Sequence, residues 1–129
     1  MNETSKEEIK ILDLQILITC IYVVSLIVSI YITYVDEQCI INPNKDHPNT
    51  KNISIFNRAL IVLLTLGFLY ISFQNRKIGI KKGRNPDLFN LQVMASEISL
   101  LSTIIVLYVV IKSMGENYTI ISGISNPNL

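Results

Sequence analysis

From Ile16 to Tyr34 the chain carries no charged residue. At 1.5 Å per residue, about 20 helical residues cover a bilayer hydrocarbon core of roughly 30 Å, and this run has that length. Two further runs follow. Ala59 to Phe73 is also free of charge, and Val93 to Ile111 is interrupted only by Glu97. The second run is short unless it recruits Ile53, Ile55 and Phe56, which places Arg58 at the boundary with its charged head reaching outward. Local bilayer thinning accommodates a short span as well.

These runs are apolar nearly all round, whereas a surface helix of a soluble protein keeps a polar face. The remaining residues are too few to build a polar shell around three such helices. Their Val, Ile and Thr content suits strands, but their length exceeds the 4 to 8 residues typical of one. Composition agrees: half of the 129 residues are apolar and 16% are charged, against about 25% charged in soluble domains. The expectation is an all-α integral membrane protein with three transmembrane helices in a single unit, residues 1–129. Its spans cover about 11–34, 55–74 and 91–112, joined by an outer loop 35–54 and a basic cytoplasmic loop 75–90, with a tail 113–129.

Ser5, followed three residues later by Glu8, reads as a capping box that starts the first helix near Lys6. Asn85 followed by Pro86 reads as an N-cap with proline in the first helical position. Gly115 is a stop. The first span resembles a signal peptide only superficially. Its apolar stretch is too long, its leader is acid-rich, and no small-x-small cleavage site follows. Lys6, Lys10, Arg76, Lys77, Lys81, Lys82 and Arg84 fall on one side of the bilayer, and Lys45, Lys51, Arg58 and Lys112 on the other. Cytoplasmic segments carry the excess of Lys and Arg, so the expected topology is N-terminus in, C-terminus out. Tyr31, Tyr34 and Tyr108 then lie near the outer boundary, and Tyr70 and Phe73 near the inner one. Tyr22, deep in the first span, calls for a hydrogen-bond partner within the bundle.

Ser25, Ser29 and Thr33 recur every fourth residue on the first span, and Ala95, Ser99 and Thr103 do so on the third. Small residues on one face let two helix backbones approach closely, which implies packing of the first span against the third, or self-association. Gly67 offers another close approach on the second. The outer loop holds Asp36, Glu37, Cys39, Asp46 and His47, but their spacing matches no zinc or calcium pattern, so no metal is expected. Asn52-Ile-Ser54 and Asn117-Tyr-Thr119 are sequons on the outer side. The stretch "QNRKIGIKKGRNPD" serves first as the topology signal, with contact to anionic headgroups as its further use. With net charge +1 and no basic stripe with interleaved aromatics, nucleic acid is not an expected partner. No catalytic motif appears, and neither an enzymatic role nor a cofactor is expected.

Glu97 lies about one turn inside the boundary at Val93, and helical side chains lean toward the N-terminus. The expected arrangement is an ionic cluster at the boundary, with Asp13 and Glu97 facing Arg76 and Lys77. The alternative is a carboxylate that binds a proton or a cation. The stretch "PDLFNLQVMASEISLLSTIIVLYVV" resembles the last span of small, uncharacterised membrane proteins of low-GC Gram-positive bacteria, which implies a bacterial plasma-membrane setting and no particular activity.

Two functional readings follow. The first is a small non-enzymatic membrane protein that associates, within the lipid bilayer, with itself as a homo-oligomer or with another membrane protein. The second is a subunit of an oligomeric channel or ion-coupled transporter using Glu97. The chain is similar to small multidrug transporters in size and in its single membrane carboxylate, but has three spans rather than four. Topology has its own probe: an impermeant thiol reagent on intact cells is expected to label Cys39 and spare Cys20. Labelling of Cys39 only after lysis reverses the orientation.

Overall fold

The computed structural model describes residues 2–115, and among them every regular element is an α-helix: α1 (Glu3–Ile41), α2 (Lys51–Lys81) and α3 (Pro86–Gly115). Each is long and apolar enough to cross a membrane. The expected three-helix, all-α architecture is what the described residues form. The sequon at Asn117 lies outside them, and the stop assigned to Gly115 falls at their limit.

All three helices overrun the spans drawn from hydropathy. α1 has 39 residues and is about 58 Å long, nearly twice the hydrocarbon core. Residues 35–41 and 51–54, assigned to the outer loop, are helical, and so are residues 75–81 of the basic loop. Hydropathy marks where lipid ends, whereas a helix continues until a cap or a breaker stops it. For α1 that point is Asn42, whose N–H donates to the Gln38 carbonyl at 2.8 Å, with Pro43 next. The start of α1 also differs from expectation. Asn2, not Ser5, is the N-cap, its Oδ1 accepting from the Ser5 N–H at 2.7 Å, so the helix begins three residues before Lys6. Asn85 does cap α3, accepting from the Asp87 N–H at 3.0 Å with Pro86 in the first position.

Between α2 and α3 the chain reverses in four residues. Gly83 has φ +75°, its N–H donates to Ile80 and the Arg84 N–H donates to Gly79. This is a Schellman ending, in which glycine takes the left-handed conformation that side-chain-bearing residues resist.

α2 lies between the other two helices and packs antiparallel along each, while α1 and α3 do not come together. The expected contact of the first span with the third is therefore absent. Each presents its small residues to α2 or to the space between them. Against α1, α2 turns Leu64, Ile71 and Ile78, spaced by seven, to meet Ile11 and Ile18, also spaced by seven. A repeat of seven is the 3.5-residue period of a coiled-coil seam. Against α3, α2 turns Thr65, Ser72 and Gly79, and α3 answers with Thr103, Ser96 and Phe89.

Gly67 and Gly79 are the points of closest approach. A Cβ on Gly67 would meet the δ-methyl of Ile18 at 2.7 Å, and one on Gly79 would meet three ring atoms of Phe89, the nearest at 2.4 Å. A δ-methyl rotates away, whereas a ring must move as a block. Gly79→Ala is expected to cost about 1–3 kcal/mol and Gly67→Ala less, the range for overpacking in soluble cores. Unfolding of both variants in detergent measures the order.

Candidate functional site

The polar side chains within and beside the apolar runs include two groups. The first consists of helix-to-helix fasteners. Ser25 donates from Oγ to Asn57 Oδ1 at 2.7 Å, Asn57 donates from Nδ2 to Ser29 Oγ at 2.8 Å, and Ser29 donates to the Ser25 carbonyl at 3.0 Å. All three residues are essentially inaccessible, and each of these donor hydrogens is used once. On the other flank of α2, Ser96 donates to Ser72, 2.7 Å away, when Ser72 donates to the Phe68 carbonyl. Thr65 and Thr103 share a hydrogen bond of 3.1 Å while the hydroxyl not used in it donates to its own helix. One turn beyond the membrane run, Arg76 donates from Nε to Asn90 Oδ1 at 2.6 Å.

Of the residues expected to pack helices, Ser25 and Ser29 are fully buried against α2, and Gly67 admits α1. Thr103 bonds to Thr65. Thr33 is exposed and bonds only to the Ser29 carbonyl, so it closes no interface. Ala95 and Ser99 are exposed and line a cleft instead.

Asn57, given no role at the margin of the second span, is the centre of the α1–α2 fastening. The signal that would have found it is spacing: Asn57, Leu64, Ile71 and Ile78 repeat every seven residues. Thr65, Ser72 and Ser96 were likewise missed, and they too lie on sevens with Gly79, Thr103 and Phe89.

The second group lies in a cleft of about 670 Å³ on one face of α2, between α1 and α3. Gln15 and Tyr22 line it from α1, Phe68 from its floor, and Gln92, Ser99 and Ser102 from α3. The Tyr22 ring stands edge-on to Phe68, centroids 6.5 Å apart, and its hydroxyl has no hydrogen-bond partner among the described residues. The partner expected for Tyr22 is thus replaced by a ring contact and an opening. Every Ser and Thr hydroxyl of the three apolar runs is hydrogen-bonded among the described residues except those of Ser99 and Ser102.

The ionic cluster expected at the boundary does not form among the described residues. Asp13 and Glu97 are exposed on helices that do not touch, Arg76 is engaged with Asn90, and Lys77 is exposed. Ion pairs form farther toward the N-terminal end, where Glu7 meets Lys81 at 3.4 Å and Glu8 meets Lys82. Surface pairs of this kind contribute about 0–1 kcal/mol each. In the other connection, the Nε2–H of His47 donates to the Asn42 carbonyl at 2.7 Å. In the first sequon, Asn52 is exposed in the first turn of α2 while Ser54 is buried.

Comparison with protein-family models, curated proteins and solved structures finds no match.

Hydrogen bonds between membrane helices average about 0.6 kcal/mol and reach about 1.7. Asn57→Ala removes two at once and leaves Ser25 without its acceptor, so a loss of about 1–2 kcal/mol is expected, with Thr33→Ala below about 0.5. A double-mutant cycle of Ser25→Ala with Asn57→Ala, read by unfolding in detergent, is expected to show coupling. Additive losses would mean that the triad is not a unit.

Proposed function

We propose that the chain is a small non-enzymatic membrane protein that acts by helix association, with itself or with another membrane protein. The observation that carries this reading is the incompleteness of the bundle. α1 and α3 each rest on α2 and leave a cleft between them, and only 6% of the apolar window of α3 is buried. Unbonded hydroxyls and amides collect at that cleft. In hydrocarbon such groups are costly without a hydrogen-bond partner, so a surface of this kind is built to be covered. The surroundings we propose are a bacterial plasma membrane, with the N-terminus and the α2–α3 turn in the cytoplasm. The excess of Lys and Arg on that side supports the orientation, and the resemblance of the last span to small membrane proteins of low-GC Gram-positive bacteria supports the setting.

A second reading rests on Glu97. It is exposed on α3, with no ion pair among the described residues. A carboxylate within a membrane helix is a candidate for ion or proton coupling by default. On this reading several copies form a channel or an ion-coupled transporter.

Purification in mild detergent with mass measurement distinguishes them. The first reading expects a homo-oligomer, or a complex of fixed stoichiometry with one distinct membrane protein, and no ion flux in liposomes. A lone monomer overturns it. A homo-oligomer whose pH-dependent flux is abolished by Glu97→Gln, with stability unchanged, puts the second reading in its place.

A further inference from the structure

We propose that the cleft between α1 and α3 is filled by α3 of a second copy, so that two α3 helices run parallel about a two-fold axis and each completes the other's bundle. The proposal rests on the association reading and names its partner.

Three observations lead to a second copy. The first is room. α2 turns Leu64 and Ile71 toward α1 and Thr65 and Ser72 toward α3, and neighbouring residues lie about 100° apart around a helix. α1, α2 and α3 therefore occupy three corners of a square, and packed helices at the usual spacing of about 8–10 Å leave the fourth corner for one more helix.

The second is hydrogen-bond complementarity. Gln92, Ser99 and Ser102 face that corner and make no hydrogen bond among the described residues, although the other Ser and Thr hydroxyls of the apolar runs do. Lipid tails offer Ser99 and Ser102 nothing. A hydroxyl and a primary amide each both donate and accept. Such groups can pair with their own copies across a two-fold axis, as residue i meets residue i in an isologous contact.

The third is charge. A two-fold pairing that brought Glu97 to itself would be repulsive. Glu97 lies about 160° around α3 from Ser99, so this pairing sets the two carboxylates on opposite outer sides. The contact strip Gln92, Ala95, Ser99, Ser102 alternates steps of three and four, the pattern of a helix-pair seam, and Ala95 and the serines are small enough for close approach.

The test is cross-linking in native membranes with the full chain. In a background carrying Cys20→Ser and Cys39→Ser, Ser99→Cys and, separately, Ala95→Cys are oxidised with copper phenanthroline. Both are expected to give a band at twice the chain's mass, at least about tenfold stronger than that from Leu101→Cys or Ile104→Cys on the far side of α3; disulfides require Cα atoms within about 7 Å. Two independent positions on the strip guard against one variant failing to fold. Cross-linking through Leu101→Cys or Ile104→Cys instead overturns the proposal but leaves the association reading standing, on another face. Absence of any cross-link, with one distinct membrane protein retained in fixed ratio, overturns the second copy and again leaves association standing. Absence of any cross-link together with a monomer by mass overturns both.

Discussion

In hydrocarbon, apolar helices gain nothing by hiding apolar surface from one another, since lipid tails are as apolar as leucine. Whatever holds α2 between α1 and α3 has to come from close packing and from hydrogen bonds. The chain supplies these on two flanks of one helix. Toward α1, α2 offers an apolar seam of Leu64, Ile71 and Ile78 closed at its far end by Asn57 between Ser25 and Ser29. Toward α3 it offers Thr65 and Ser72, with Gly79 letting the Phe89 ring close in. The central position of α2 is therefore written in its polar and small residues rather than in its hydropathy. With α2 removed, nothing among the described residues connects α1 to α3.

This division explains what was legible from sequence. Span number and helix class follow from the length of uncharged runs, because only a few structures satisfy the backbone across a bilayer. The start of α3 was legible because Asn85-Pro86 is a cap with a mechanism. The start of α1 was misread because Ser5 and Glu8 fit the capping box as well as Asn2 fits an N-cap, and spacing alone does not rank them. Helix ends were misplaced because Val35 to Ile41 contains no breaker, and leaving the lipid is no reason for a helix to stop.

Partner choice was the least legible part. Ser25 and Ser29 on one span and Ala95 and Ser99 on another look like matching faces, and both were recognised as small-residue faces. Which helix each face meets depends on where α2 sits, and one-dimensional spacing carries no such information. Asn57 escaped notice for a related reason: at the margin of an apolar run, a polar residue reads as the beginning of water. Its burial with Ser25 and Ser29 shows that the margin is packed protein at that point.

The serine and threonine hydroxyls of the three apolar runs also divide by use. Those of Thr19, Ser25, Ser29, Thr33, Thr65, Ser72, Ser96 and Thr103 are taken up by the chain itself, through a backbone carbonyl or a neighbouring helix. Those of Ser99 and Ser102 are not, and both lie at the cleft between α1 and α3. A serine in a membrane helix can quiet its own hydroxyl on the carbonyl one turn back, so it does not need an external partner merely to be tolerated. Two that leave that option unused on the same strip, beside the amide of Gln92, present donors and acceptors outward. Glu97 differs in kind. It sits about one turn inside the span and leans toward the boundary, where water can reach it. A shallow carboxylate can therefore remain hydrated with no helix against it, whereas Ser99 and Ser102 lie about 3 and 7.5 Å deeper along the helix. Depth thus separates the two features: the hydroxyls at the cleft need a protein partner atom more than the carboxylate does.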